Sequence, residues 1–133
     1  MASSGTVNEG RDFIISDRVY TTGGLDLRLY TNNQDSLDAT SVFADLVEPT
    51  GTGYAPITLS GVWSEADGVV TYATNPVFEN TNSEGGANWS TPVKGVAITD
   101  GTYILHFQDL LAASVTMEPG KKLTVDLSTL IAP

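Results

Sequence analysis

The sequence predicts an all-β, mainly antiparallel fold: a single-domain β-sandwich or partly closed barrel, with one or two short helices near the N-terminal third. Three observations lead there. Leu25, Leu27 and Leu29 alternate with Asp26, Arg28 and Tyr30, the two-residue period of a strand with one apolar face. Asp100-Gly101 and Pro119-Gly120 stand between apolar runs and carry the chemistry of tight turns. About eight strand candidates follow one another at turn signals, with no helices alternating between them.

Residues 1–7 are small and polar and read as a flexible arm. Over 8–24, Asn8 can cap a short helix that Gly23-Gly24 stops, although Phe13-Ile14-Ile15 also suits a strand; the helix is favoured. The remaining 25–130 are assigned to the sandwich. The strand at 25–30 ends at Asn32-Asn33, and a helical turn or short surface helix is expected between Asp35 and Glu48, closed by Pro49. Ile57, Leu59 and Trp63 share one parity and predict a second long strand, with Trp63 in the core. Asp67-Gly68 turns the chain into Val69–Ala73, and Pro76-Val77-Phe78 opens another extended piece. The Asn, Ser and Gly residues of 80–88 read as a mobile insertion. Asp100-Gly101 predicts a two-residue hairpin between Val93–Thr99 and Thr102–Phe107, both central residues taking positive φ. Pro119-Gly120 predicts a type II turn and a final hairpin joining Val115-Thr116-Met117 to Leu123, Val125 and Leu127. No internal repeat or linker divides the chain, so residues 1–133 are expected to form one domain.

Composition narrows the function. A chain of 133 residues with 41% apolar and 17% charged residues has the material for one core. Sixteen acidic residues face six basic ones, a net charge of −10, and Arg11, Arg18, Arg28, Lys94, Lys121 and Lys122 are scattered. Affinity for nucleic acid comes largely from neutralising phosphates, so neither nucleic acid nor an anionic membrane is expected as a partner. The first residues carry neither the basic nor the apolar part of a signal peptide, which predicts a soluble chain made in the cytoplasm. The absence of cysteine excludes disulfides and thiolate chemistry.

Nothing in the sequence assembles a reactive constellation, and the chain is expected not to be an enzyme. His106 is the only histidine; its parity groups it with Thr102 and Ile104, opposite Tyr103, Leu105 and Phe107, and it reads as a structural strand residue. Asp35, Asp38 and Asp45 offer oxygens to a hard cation but lack the order of a calcium loop, so no metal is expected. Glu65, Asp67, Glu79 and Glu84 are the carboxylates a hydrolase reading would require to converge. Gly51-Thr52-Gly53 is followed by neither lysine nor helix and reads as a turn rather than a phosphate loop. No cofactor and no small-molecule substrate are expected. An exposed Trp89 or Tyr54 would suit a sugar platform or a protein interface, and Trp89, Tyr54 and Phe13 are the candidate interface residues.

Three stretches carry a resemblance: Leu27-Arg28-Leu29-Tyr30-Thr31-Asn32-Asn33, the run from Phe43 to Leu59 containing Gly53-Tyr54-Ala55, and Trp63. They resemble small tailed-bacteriophage virion proteins encoded near head genes, and Gly95-Val96-Ala97-Ile98 and Gly120–Val125 resemble the second half of that family. The likeness covers about Leu25 to Leu130 and rests on structural motifs. It implies a capsid decoration or cement protein at the capsid exterior, a homo-oligomer there with the major capsid protein as its partner. A tail, baseplate or head-fibre component is the second role it allows, and a carbohydrate-binding module is the alternative from another class.

Overall fold

The computed structural model describes residues 4–5, 25–59, 63–66, 69–72, 74–110 and 112–126. They form an all-β, antiparallel structure. The strands are β1 (Ser4–Gly5), β2 (Asp26–Tyr30), β3 (Ile57–Thr58), β4 (Trp63–Ala66), β5 (Val69–Tyr72), β6 (Val77–Glu79), β7 (Gly95–Thr99), β8 (Ile104–Asp109) and β9 (Lys122–Thr124). A five-stranded sheet runs β1-β8-β7-β2-β3, and two ribbons pair β4 with β5 and β6 with β9. None of these sheets closes into a barrel. The helix expected within 8–24 and the arm beyond Ser4–Gly5 lie outside the described residues. Between Asp35 and Glu48 the expected helical turn is one 3-10 turn, Phe43–Asp45.

The alternation at β2 places Leu25, Leu27 and Leu29 in the main core with Val96, Ile98, Leu59, Phe78, Val93, Trp89 and Met117. The opposite parity was expected to face solvent, yet Tyr30 is fully buried and Arg28 half-buried. A second core lies on that side, where Tyr30, Ala97, Ile104 and Phe107 pack with Leu37 and a half-buried Leu46. The sheet is therefore covered on both faces: by the β6–β9 ribbon and its loops on one, and by the 31–48 segment on the other. Strand β7 is buried at every residue, as a central strand with two packed faces must be.

Register corrects several expectations drawn from local signals. Thr99 pairs with Ile104, so β7 and β8 are joined by the four residues 100–103 rather than by two. Gly101 has φ of 89°, but Asp100 does not need positive φ because its carboxylate accepts the Thr102 and Tyr103 amides at 2.9 and 2.7 Å. A bulge follows: Ile98 pairs with His106 and Thr99 with Ile104, leaving Leu105 as the extra residue. The bulge shifts the parity of β8. His106 lies opposite Ile98 on the main-core side, while Ile104 and Phe107 join the second core, against the grouping of His106 with Ile104.

The Pro119-Gly120 turn forms as expected, with Lys121 N–H bonded to Glu118 O at 3.0 Å and Gly120 at φ of 82°. Its strand partner differs, since β9 pairs with β6 and Val115 makes only an isolated bridge to Val93. The backbone of Asn80 accounts for this, because it exchanges hydrogen bonds with Gly120 N–H and Lys121 O and draws the turn onto β6. The single long strand expected over Ile57–Trp63 is divided: β3 pairs with β2, and Trp63 begins β4, which pairs with β5. Ala66 opposite Val69 leaves the two positions 67–68 as the link, as the Asp67-Gly68 signal requires.

Two expectations follow. A Cβ at Gly95 would overlap the Tyr30 ring, which packs directly on that backbone. Gly95→Ala is therefore expected to lower stability by about 1–3 kcal/mol, read from the midpoint of urea unfolding at unchanged slope. Burial pushes the His106 imidazole down to about 4 from 6.5, so the unfolded chain binds the extra proton between those values. Its contribution is complete above pH 6.5 and is lost as pH falls toward 4, an effect on the order of 3 kcal/mol. His106 is the only histidine, so unfolding curves between pH 6.5 and 5 should show about half of this loss and His106→Gln should flatten it.

Candidate interaction face

Arg28 reaches out of β2 toward the 42–54 segment. Its Nη1 donates to Glu48 Oε2 at 3.0 Å, its Nε donates to Thr99 Oγ1 at 3.0 Å, and Asp26 stands 3.7 Å from Nη2. The guanidinium also lies 5.1 Å from the centre of the Phe43 ring, an aromatic face that attracts a cation. Glu48 in turn accepts the Tyr54 hydroxyl proton through Oε1 at 2.5 Å, and the Tyr54 oxygen receives the Leu29 amide at 3.1 Å. Burial and the hydrogen bond to Glu48 raise the Tyr54 hydroxyl well above its ordinary value, so it stays a neutral donor.

Between these anchors the chain makes the Phe43–Asp45 turn. Asp45 Oδ2 accepts the Val42 amide at 2.9 Å, Asn32 bridges Asp45 O and the Val47 amide at 2.7 and 2.9 Å, and Thr31 N–H bonds to Val47 O at 2.7 Å. A 3-10 turn of three residues can send only part of the run Val42-Phe43-Ala44-Asp45-Leu46-Val47 inward. Phe43 and Leu46 take those places, and Val42 and Val47 stand outside at 58% and 56% exposure, the most exposed large apolar side chains among the described residues. The result is a pair of valines on a hydrogen-bonded platform with carboxylates nearby.

The candidate interface residues are placed otherwise. Trp89 is buried rather than displayed: its Nε1 donates to Thr52 O at 2.9 Å, and its ring meets Tyr54 edge-on at 5.3 Å. Gly51 lies so close to that ring that any Cβ there would strike it. Tyr54 is half-buried and stacks on Phe78 at 5.9 Å. These aromatics bind loops to the sheet, and neither Trp89 nor Tyr54 offers the open platform a sugar ring would need. Phe13 lies outside the described residues. The polar loop 80–88, read as mobile, is pinned by the fully buried Asn80: Nδ2 donates to Ala87 O and Met117 O at 3.1 and 2.8 Å, and Oδ1 accepts the Asn82 amide at 3.0 Å.

Of the acids read as chemical candidates, Asp38 and Asp45 hold turns. Asp38 Oδ1 accepts both the amide and the hydroxyl of Thr40, which hold its carboxyl below the usual range. The Asp35 amide donates to Asp109 Oδ2 at 2.9 Å, and among the described residues no three His, Asp or Glu side chains gather to hold a metal. Glu79 sits on β6 and Glu84 in the exposed 83–86 turn; the Glu65 side chain and Asp67 lie outside the described residues. A groove of about 320 Å³ runs between the end of the β7–β8 pair and β9, floored by Val96, Leu110, Val115, Leu123 and Val125. No family model, curated protein or solved structure matches this chain.

Val42 and Val47 were passed over because the 35–48 stretch shows no period, and exposure there depends on which two of four apolar residues the Arg28 anchor draws inward. The signal was a surplus of apolar residues in a turn too short to bury them. Asn80→Ala should leave the Asn82 amide without its acceptor and take from the Ala87 and Met117 carbonyls one of the two donors each holds, the others being Asn82 Nδ2 and the Trp89 amide. A loss of about 2–3 kcal/mol is expected by denaturant unfolding, with faster amide exchange in 80–90.

Proposed function

We propose that this chain is a structural protein of a tailed-bacteriophage virion, a capsid decoration or cement protein that binds the outer surface of the major capsid lattice. The observation that carries the proposal is the Val42–Val47 platform: exposed apolar side chains on a turn held by hydrogen bonds with Asn32, Thr31 and Asp45. Such a surface suits attachment to another protein, because apolar contacts held in place lose little entropy on docking. The platform also falls beside and within the Phe43–Leu59 stretch that resembles virion proteins. A net charge of −10 favours a site facing solvent over one lining packaged DNA. Many copies bridging neighbouring subunits would resist outward pressure even if each contact is modest, since later contacts form at high effective concentration.

Counting copies in purified virions by quantitative mass spectrometry tests the proposal. Abundance comparable to the major capsid protein is the expected outcome; a handful of copies assigns the chain to a tail or head fibre instead, and absence overturns both roles. Val42→Asp with Val47→Asp is expected to leave stability within about 0.5 kcal/mol, because both side chains are exposed. The same pair should weaken binding to undecorated capsids by about tenfold or more in a sedimentation assay.

A further inference from the structure

The edges of the five-stranded sheet are closed in different ways. At one edge β3 is two residues long and follows Pro56, a combination that discourages further pairing. At the other, β8 is covered by β1, where Ser4 pairs with Gln108 and Gly5 with Phe107. β8 has the burial of a central strand, with Ile104, Leu105, His106 and Phe107 all at 5% exposure or less. Its outer neighbour is a two-residue strand distant in sequence.

Three properties of that strand point the same way. Ser4 and Gly5 carry no apolar side chain, so the cover they give is backbone hydrogen bonding, which does not depend on which copy supplies it. Residues 1–8 hold no charged side chain in a chain of net −10, which makes them a segment that can approach a second acidic copy without like-charge cost. Strand β1 is separated from β2 by β8 and β7, a span of about 14 Å at ordinary strand spacing. The twenty residues between Gly5 and Asp26 can reach about 65 Å when extended, far more than the span requires.

From this geometry we infer that the outer edge of β8 is a strand-exchange surface, which accepts the Ser4–Gly5 strand of a second copy in place of its own. Both arrangements make the same backbone bonds in the same register, so the balance is set by concentration. Exchange rises as copies approach about millimolar density, in solution or side by side on a surface.

The chain has no cysteine, so introduced thiols report the pairing without background. Opposed residues on antiparallel strands lie within disulfide reach. In dilute solution, Ser4→Cys with Gln108→Cys on one chain should oxidise to an internal disulfide and remain monomeric. Mixing the two single variants near ~1 mM, with one isotopically labelled, should give the mixed dimer, bridged from position 4 of one copy to position 108 of the other, at about threefold or more over the two symmetric dimers combined, which chance pairing would make equal to it. Mixed dimer at or below the statistical share would overturn the inference, and failure of the double variant to close internally would overturn the register on which it stands. Removal of residues 1–7 from the Gln108→Cys chain should leave the edge of β8 open to the strand of the Ser4→Cys copy and raise the mixed dimer further, whereas an unchanged yield would also overturn the inference.

Discussion

The buried hydrogen bond from the Tyr30 hydroxyl to Asp109 Oδ1, at 2.6 Å, is the constraint from which much of the architecture follows. It joins the end of β2 to the end of β8 across β7, and the tyrosine ring can lie flat only because Gly95 of β7 has no side chain. Burial, with the bond to Asp109, raises the Tyr30 hydroxyl far above its ordinary value, so the proton stays on the phenol. The other Asp109 oxygen receives the Asp35 amide, and Asp35 takes a φ of 63° to present it. Gln34 beside it donates to Leu110 O and Ala113 O at 3.0 and 3.1 Å. One carboxylate thus fixes three strands and the direction in which the chain leaves β2.

That exit direction places the outer face. From Asn33 to Val47 the chain is laid over Tyr30, Ala97, Ile104 and Phe107, with Leu37 and Leu46 as its apolar contacts. Arg28 then ties the far end through Phe43 and Glu48. Each anchor is polar at one end and apolar along its length, so the segment is held at a sheet face without a strand of its own. The opposite face is built with different parts, the Asn80 and Trp89 side chains adding second donors to the Met117 and Thr52 carbonyls and so tying loops to the core. Both solutions leave short loops rigid and their outermost side chains free for contact.

The fold class is legible because it depends on local signals. The leucine alternation at β2, the glycine at the third position of the 118–121 turn and the spacing around Asp67-Gly68 each act within a few residues. Pairing is less legible because it depends on distant ones: nothing near Pro119 says that Asn80 will capture the turn, and nothing in 102–107 reveals the bulge that moves His106 to the other face. Trp89 misleads for the same reason, since its polar flanks suggest exposure while Gly51, far away in sequence, leaves room for its ring. Tyr30 was read as the polar parity of a half-solvated strand, and only Asp109 makes its burial sustainable. The face at Val42 and Val47 could be found by counting apolar residues against the length of the turn, but not by periodicity.

The Tyr30–Asp109 pair also orders events in time. Its members are 79 residues apart, and β2 finds its neighbours only in β3 and in β7. During synthesis the leucines of β2 emerge long before the strands that shelter them, and the second core cannot close until Asp109 has left the ribosome. Folding must therefore wait for most of the chain, and the half-made protein carries a bare apolar ribbon that chaperones would be drawn to.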